Sequence, residues 1–242
     1  MKMIGKRSNV MERIGIIGAM EIEVAALKEK MCDVTTTKKA SMEFFDGTLN
    51  GKQVIVVRSG IGKVNAAVCT QILVDDFKVE AVINTGIAGS LKNEINIGDI
   101  VVSTDVLHHD MDAREFGYRR GQIPQMSVFS FEADANLRQK AVACCKKVNP
   151  EVGIFEGRVV SGDQFIADSE RKNDIVKTFA GYCTEMEGAA IAQAAYLNQI
   201  PFVILRAISD KADNSATMDY PVFERQAAAH CVRLVEEMVT VL

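Results

Sequence analysis

The segment Pro201–Ile208, PFVILRAI, is apolar at every position except Arg206. A strand that is hydrophobic at consecutive positions must be covered on both faces, which a sheet with one wet face cannot provide. The segment therefore predicts an internal strand with helices above and below it.

The rest of the chain supplies matching parts. Short apolar runs predict strands at Arg13–Gly18, Ala81–Thr85, Ile100–Leu107 (entered by a Gly98-Asp99 turn), Ile154–Ser161 and Tyr182–Met186. Two β-rich runs, Met42–Leu49 and Gln53–Arg58, flank Asn50-Gly51, a strong hairpin signal. Helical spacing predicts helices over Glu21–Met31, Gly62–Asp76, Ala133–Val148, Ser169–Phe179, Glu187–Leu197 and from Pro221 to the C-terminus. In the second of these the apolar positions are Val64, Ala67, Val68 and Ile72, and Ser169 is the expected N-cap of the fourth. Strands alternating with helices around an early hairpin predict a three-layer α/β/α sandwich with a central mixed sheet. Residues 11–242 read as one domain, with 1–10 a disordered extension.

Composition narrows the function. The net charge of −4 disfavours a nucleic-acid partner, which needs a basic surface. No apolar run approaches the ~20 residues of a membrane span, so a membrane partner is not expected. The six cysteines have no paired C-x-x-C spacing and read as small buried residues in a reducing cytosol.

In open α/β sheets, ligands bind beyond the carboxyl ends of the strands. The residues there are Gly18-Ala19-Met20-Glu21-Ile22-Glu23, Ser59-Gly60-Ile61-Gly62-Lys63, Gly86-Ile87-Ala88-Gly89, Gly162-Asp163-Gln164-Phe165-Ile166, Glu185-Met186-Glu187-Gly188 and Ser209-Asp210-Lys211. Glycines, carboxylates, a Phe and a Met on one rim suit a polyhydroxylated ring joined to a flat heterocycle. Other readings fit less well. Gly15-x-x-Gly18 is not the dinucleotide fingerprint. A P-loop fails because Val57 and Val64 replace its first Gly and its Ser/Thr. Adjacent histidines in His108-His109-Asp110 point to opposite faces of a strand, so with Asp112 they read as a solvated strand end rather than a metal site. Glu187 has a plainer role open to it, in the first turn of the helix that follows.

Five motifs in order resemble the bacterial methylthioadenosine/S-adenosylhomocysteine nucleosidases. They are Ile14–Val24 (IGIIGAMEIEV), Ser59–Val64 (SGIGKV), Val160–Ile166 (VSGDQFI), Glu185-Met186-Glu187 and Arg206–Asp213 (RAISDKAD). The resemblance runs from about Arg13 to the C-terminus and implies a nucleoside phosphorylase-like fold and a homodimer. It implies that Asp210, positioned by Ser209, protonates the purine at N7, and that Glu23 activates the attacking water. Glu187 would grip the ribose hydroxyls, with Met186 against the sugar and Glu185 and Arg206 nearby. Phe165 would stack on adenine while the Ile166 backbone reads its edge; Met20, Ile61, Ala88 and Gly89 are further expected contacts. Phe116, Tyr118 and Pro124 align with a segment that reaches the neighbouring subunit's 5′ pocket. Two positions depart from the pattern: Ile87 stands where many relatives have Ser, and Tyr220 where a Phe commonly lines the 5′ pocket.

These residue types suit the chemistry. Cleaving an N-glycosidic bond leaves positive charge on the ribose and negative charge on the purine. A carboxylic acid protonates the purine near pH 7 only if an apolar setting raises its pKa, and Asp210 follows one of the most apolar stretches in the chain. A second carboxylate holds water on the opposite side of an oxocarbenium-like sugar. The expected function is hydrolysis of methylthioadenosine and S-adenosylhomocysteine, with neither cofactor nor metal, in the cytoplasm. A phosphorylase of the same fold would need arginines at the ribose. Arg58 and Arg206 are the basic candidates nearby, whereas Met20, Glu21 and Glu23 would repel phosphate. A non-catalytic adenosine-binding module, and a futalosine-type substrate, are the remaining alternatives.

Overall fold

The computed structural model describes residues 11–242, without the Met218 side chain. The stretch 1–10, expected to be a disordered extension, lies outside the described residues.

The strands are β1 (Arg13–Gly18), β2 (Cys32–Lys39), β3 (Met42–Leu49), β4 (Lys52–Arg58), β5 (Ala81–Ser90), β6 (Ile100–His108), β7 (Phe131–Glu132), β8 (Ile154–Ser161), β9 (Cys183–Glu185) and β10 (Phe202–Asp210). The α-helices are α1 (Glu21–Glu29), α2 (Lys63–Asp75), α3 (Ala135–Val148), α4 (Ser169–Phe179), α5 (Gly188–Leu197) and α6 (Ala216–Val241). The sheet runs β10-β6-β8-β9-β5-β1-β4-β3-β2, with β7 beside β6, and β10 pairs β5 as well. Parallel pairs (β1–β4, β1–β5, β5–β10, β6–β8, β8–β9) mix with antiparallel ones (β2–β3, β3–β4, β5–β9, β6–β10, β6–β7), as expected for a mixed sheet. Because β10 pairs both β5 and β6, that end of the sheet curls into a ring through β8 and β9.

The apolar run of β10 divides between two cores. Val203, Leu205 and Ala207 face α1, α3 and α6, whereas Phe202, Ile204 and Ile208 face α2 and α5. Every residue of β10 is buried, Arg206 included. A smaller core under α4 contains Leu107, Val160, Ile166 and Phe179.

Several local expectations need correction. β2 has no counterpart among the expected strands: all eight of its residues are exposed, so it carries no apolar alternation to read. The predicted loop Gly86–Gly89 continues β5, which stays paired with β10 and then β9 as far as Ser90. α4 is capped by Asp168 rather than Ser169, with the Asp168 carboxylate accepting from Arg171 N at 2.8 Å. α3 starts at Ala135 after its cap Asp134, which accepts from Leu137 N at 2.9 Å. α6 begins at Ala216, five residues before Pro221. The buried face of α2 is Ala66, Cys69, Thr70, Ile72 and Leu73, leaving Val64 and Val68 in solvent at 74% and 39% exposure. The cysteines are free and buried except for Cys32, which lies on the exposed edge strand. His108 and His109 are buried, not a solvated strand end.

Candidate active site

The carboxyl ends of β1, β5, β9 and β10 open into a cavity of about 500 Å³, within the usual range for small-ligand sites. Its walls include Met20, Glu23, Ile61, Ala88, Gly89, Phe165, Glu185, Met186, Glu187, Ser209, Asp210 and Tyr220, all expected there from the sequence. Ile166 lines a recess that adjoins it beside Asp210 and Phe165.

Glu23 is held by the start of its own helix. One carboxylate oxygen accepts from Ala19 N at 2.7 Å and Met20 N at 2.9 Å, and the other from Ile87 N at 3.2 Å. Burial raises its pKa, while the Arg206 charge and those N–H groups oppose the rise. A Cβ on Gly86 would lie 2.6 Å from the Glu23 carboxylate, so β5 must be bare there for Glu23 to fit.

Asp210, at the end of β10, accepts from Ser209 Oγ at 2.9 Å and from Ala212 N at 2.8 Å. Burial is the main force raising its pKa, helped by the anions Asp219 and Asp213. A Cβ on Gly89 would stand 2.7 Å from its Oδ1 and 2.8 Å from the Ala212 methyl. The acid thus sits against bare backbone, with each carboxyl oxygen accepting one local hydrogen bond.

Glu187 occupies the N-cap position of α5 without capping it. Its carboxylate instead accepts from Gly62 N at 2.8 Å, across the cavity from its own helix. Burial, then the neighbouring Glu185 charge, push its pKa up to about 8. Glu185 caps the helix in its place, its Oε2 accepting from Glu187 N at 3.0 Å and Gly188 N at 2.7 Å. It also pairs with Arg206 at 2.5 Å and accepts from Ser161 Oγ, and these partners outweigh burial and keep it ionised. Arg206 further donates to Asn84 Oδ1 and to the Leu205 carbonyl. Burial works against its charge, but Glu185, Glu23 and Glu187 hold it protonated. Arg206 therefore lies behind the wall as a fixed counter-charge and does not line the cavity.

Tyr220 OH donates to Met20 Sδ at 3.2 Å, and its ring meets Phe165 edge-on at 5.8 Å between centroids. Phe165 is 48% exposed and forms one lip. Phe116, Tyr118 and Pro124 do not line the cavity of this chain, and Phe116 is 83% exposed. Arg58 is on the surface beside Glu21. Sequence reasoning misses Thr184 and Thr217 as cavity walls. Thr184 lies inside the expected strand Tyr182–Met186 rather than beyond its carboxyl end, and Thr217 belongs to the part of α6 that precedes its expected start.

The cavity thus brings together a buried triad of carboxylates, one guanidinium behind it and a separate buried acid beside an aromatic lip. The profile of the phosphorylase superfamily matches residues 13–240. The chain is 45% identical over 227 residues to a 5′-methylthioadenosine/S-adenosylhomocysteine nucleosidase of an Exiguobacterium species, covering 92% of this chain and 95% of that protein. It is 43% identical over 232 residues to the enzyme of the same description from Staphylococcus aureus, covering 95% and 100%. The crystal structure of the Neisseria meningitidis nucleosidase with methylthio-immucillin-A superimposes with a TM-score of 0.92 at 39% identity, covering 96% of this chain and 100% of that one. The chain belongs to the phosphorylase superfamily and, within it, to the 5′-methylthioadenosine/S-adenosylhomocysteine nucleosidase family.

Proposed function

We propose that this protein hydrolyses the N-glycosidic bond of 5′-methylthioadenosine and S-adenosylhomocysteine, releasing adenine and a 5-thio-substituted ribose. The observation that carries hydrolysis over phosphorolysis is the charge of the cavity. Among its lining residues are Glu23, Glu185, Glu187 and Asp210 and no Lys, Arg or His. Arg206, the cation behind them, is committed to Glu185 and Asn84. A phosphate dianion would meet carboxyl groups and find no free guanidinium among the described residues of the cavity; water is the nucleophile that such a site accepts.

Asp210 is the general acid that delivers a proton to N7 as the bond breaks. Its raised pKa supports this, since an ordinary aspartate would be ionised. Ser209 orients the carboxyl. Glu23, fixed by three backbone N–H groups, with Arg206 favouring its anionic form against burial, holds and deprotonates the water. Glu187 accepts from the ribose hydroxyls, and its ionised form stabilises the cationic sugar. Met186 packs on the sugar, Phe165 stacks on the base, and the Ile166 backbone reads the base edge. Met20 and Tyr220 close the 5′ end.

The working unit is a homodimer of single-domain chains. In its support, Val64 and Val68 lie four residues apart on α2 and both are exposed, an arrangement suited to burial against a second copy. Phe116, Tyr118 and Pro124 then serve the partner's 5′ pocket. No helix among the described residues is long and apolar enough to cross a membrane, and we assign the protein to the cytoplasm.

The test is adenine release from methylthioadenosine, followed by chromatography with and without millimolar phosphate. Adenine and free methylthioribose in both reactions are expected. A sugar 1-phosphate formed only with phosphate would overturn the assignment of Glu23, and no adenine in either would overturn the reaction.

A further inference from the structure

His108-His109-Asp110 and Lys63 have no part in the reaction described above, yet they are built into the site's frame. His109 is 1% exposed. Its N–H donates to the Ser161 carbonyl at 2.8 Å, and its ring packs so closely on Gly162 that a Cβ there would collide with it. The end of β6 thus lies directly beneath the loop that leads to Phe165. Asp110 follows, and it grips two elements at once. Both of its oxygens accept from Lys63 Nζ, at 2.7 and 2.8 Å, and one also accepts from Asp163 N at 3.0 Å. Asp163 returns the tie, since its carboxylate accepts from Lys63 N at 2.8 Å. The Asp110 and Lys63 side chains are only 16% and 21% exposed, so the pair is shielded in part from solvent.

The geometry of this tie reaches both halves of the cavity. Lys63 is the first residue of α2, and the residue before it, Gly62, donates its N–H to Glu187. Asp163 stands two residues before Phe165 on the other lip. We infer that Asp110 is a positioning residue. By clamping Lys63 to the Asp163 backbone it holds the Gly62 N–H on the ribose-side carboxylate and the Phe165 loop on the base side, in one register. The inference rests on the nucleosidase reading for its kinetic test, though not for the tie itself.

The clamp has a measurable signature. The groups that face Glu187 are Glu185 from β9, Arg206 from β10, Glu23 from α1 and the Gly62 N–H from the start of α2. Of these, only the Gly62 hydrogen bond depends on the clamp. It favours the ionised form of Glu187, so its loss moves the acid limb of kcat/KM to higher pH. Simple removal of the negative charge at Asp110 would move that limb the other way.

The experiment compares Asp110→Asn, Asp110→Ala and wild type for adenine release from methylthioadenosine between pH 5 and 9, with Tm measured for each. Asp110→Ala is expected to lower kcat/KM about tenfold and to raise the acid limb by about half a pH unit, the scale of one lost hydrogen bond. Asp110→Asn keeps an oxygen for the Asp163 N–H and is expected to recover part of the rate, with a smaller shift in the same direction. Amide exchange at Gly62 and Lys63, which needs no substrate, is expected to quicken in both variants. An acid limb that stays in place or moves down, or exchange at wild-type rates, overturns the inference. Failure of the wild type to release adenine would instead overturn the reaction, and the exchange measurement would still judge the clamp.

Discussion

Glu187 is pulled between two demands. Its pKa of about 8 means that the folded protein retains a proton there which the unfolded chain releases near an ordinary glutamate's 4.5. The folded state therefore loses stability as pH rises from about 4.5 to 8, because ionisation is cheaper in the unfolded chain. Glu187→Gln is expected to raise Tm at pH 8 by roughly 3–8 °C while leaving it unchanged near pH 4, as thermal unfolding would register. The same variant should lose most of its kcat/KM, since a neutral amide does not stabilise a cationic sugar. Asp210→Asn makes the complementary case. Adenine release should fall by about 10²–10⁴-fold, with inhibitor binding little changed in a titration. In the wild type, kcat/KM should decline at alkaline pH as Asp210 loses its proton, with a limb displaced upward from that of an ordinary aspartate. The carboxylates Glu23, Glu187 and Asp210 are legible in the sequence because each lies within a few residues of a recognisable strand end. Thr184 is not, for it lies inside its strand rather than beyond the end. The separate role of Glu185, capping α5 and fixing Arg206, is also hidden, because a contact between residues 21 apart in sequence leaves no local trace.

At the scale of elements, β5 carries more of the site than its apolar start suggests. The composition of Gly86–Gly89 suggests a turn, but glycine has a second use: it lets a side chain lie against a strand. Gly89→Ala is expected to push Asp210 out of place and reduce kcat at least tenfold, because its Cβ would lie 2.7 Å from Oδ1. Tm should fall far less than for a buried Leu→Ala change, and the two measurements together would separate a displaced acid from an unstable fold. The start of α6 escapes a sequence reading for a different reason. Proline favours the first helical position, where no N–H is needed, so Pro221 suggests a boundary. The helix begins at Ala216 instead, with Ser215 Oγ bonded to Asp219 at 2.6 Å, and these early turns bring Thr217 and Tyr220 to the cavity. The hairpin is legible in full: Leu49 pairs with Lys52 across Asn50-Gly51, both at positive φ.

For the molecule as a whole, layering follows from the apolar β10 and sheet type from the early hairpin, but the closure of the sheet through β10 follows from neither. One strand paired on both edges, to β5 and β6, is a relation between a late segment and two that come much earlier in the chain. The exposed face of α2 belongs to this scale too. Light scattering after gel filtration should give twice the 26.5 kDa chain mass. Val64→Asp combined with Phe116→Asp should give single chains with weakened turnover of 5′-thio nucleosides. A single-chain mass for the wild type would refute the dimer, and with it the placing of Phe116, Tyr118 and Pro124 in a partner's pocket.

The commitment of Arg206 to Glu185 and Asn84 has a consequence for direction. With no free cation among the described residues of the cavity to favour phosphate over water, the free energy of the cleaved bond is not retained in a sugar phosphate. Adenine and a reducing sugar simply diffuse away. The site thus chooses the nucleophile, and the nucleophile sets the direction: with water in vast excess, the equilibrium lies far toward adenine and the free sugar.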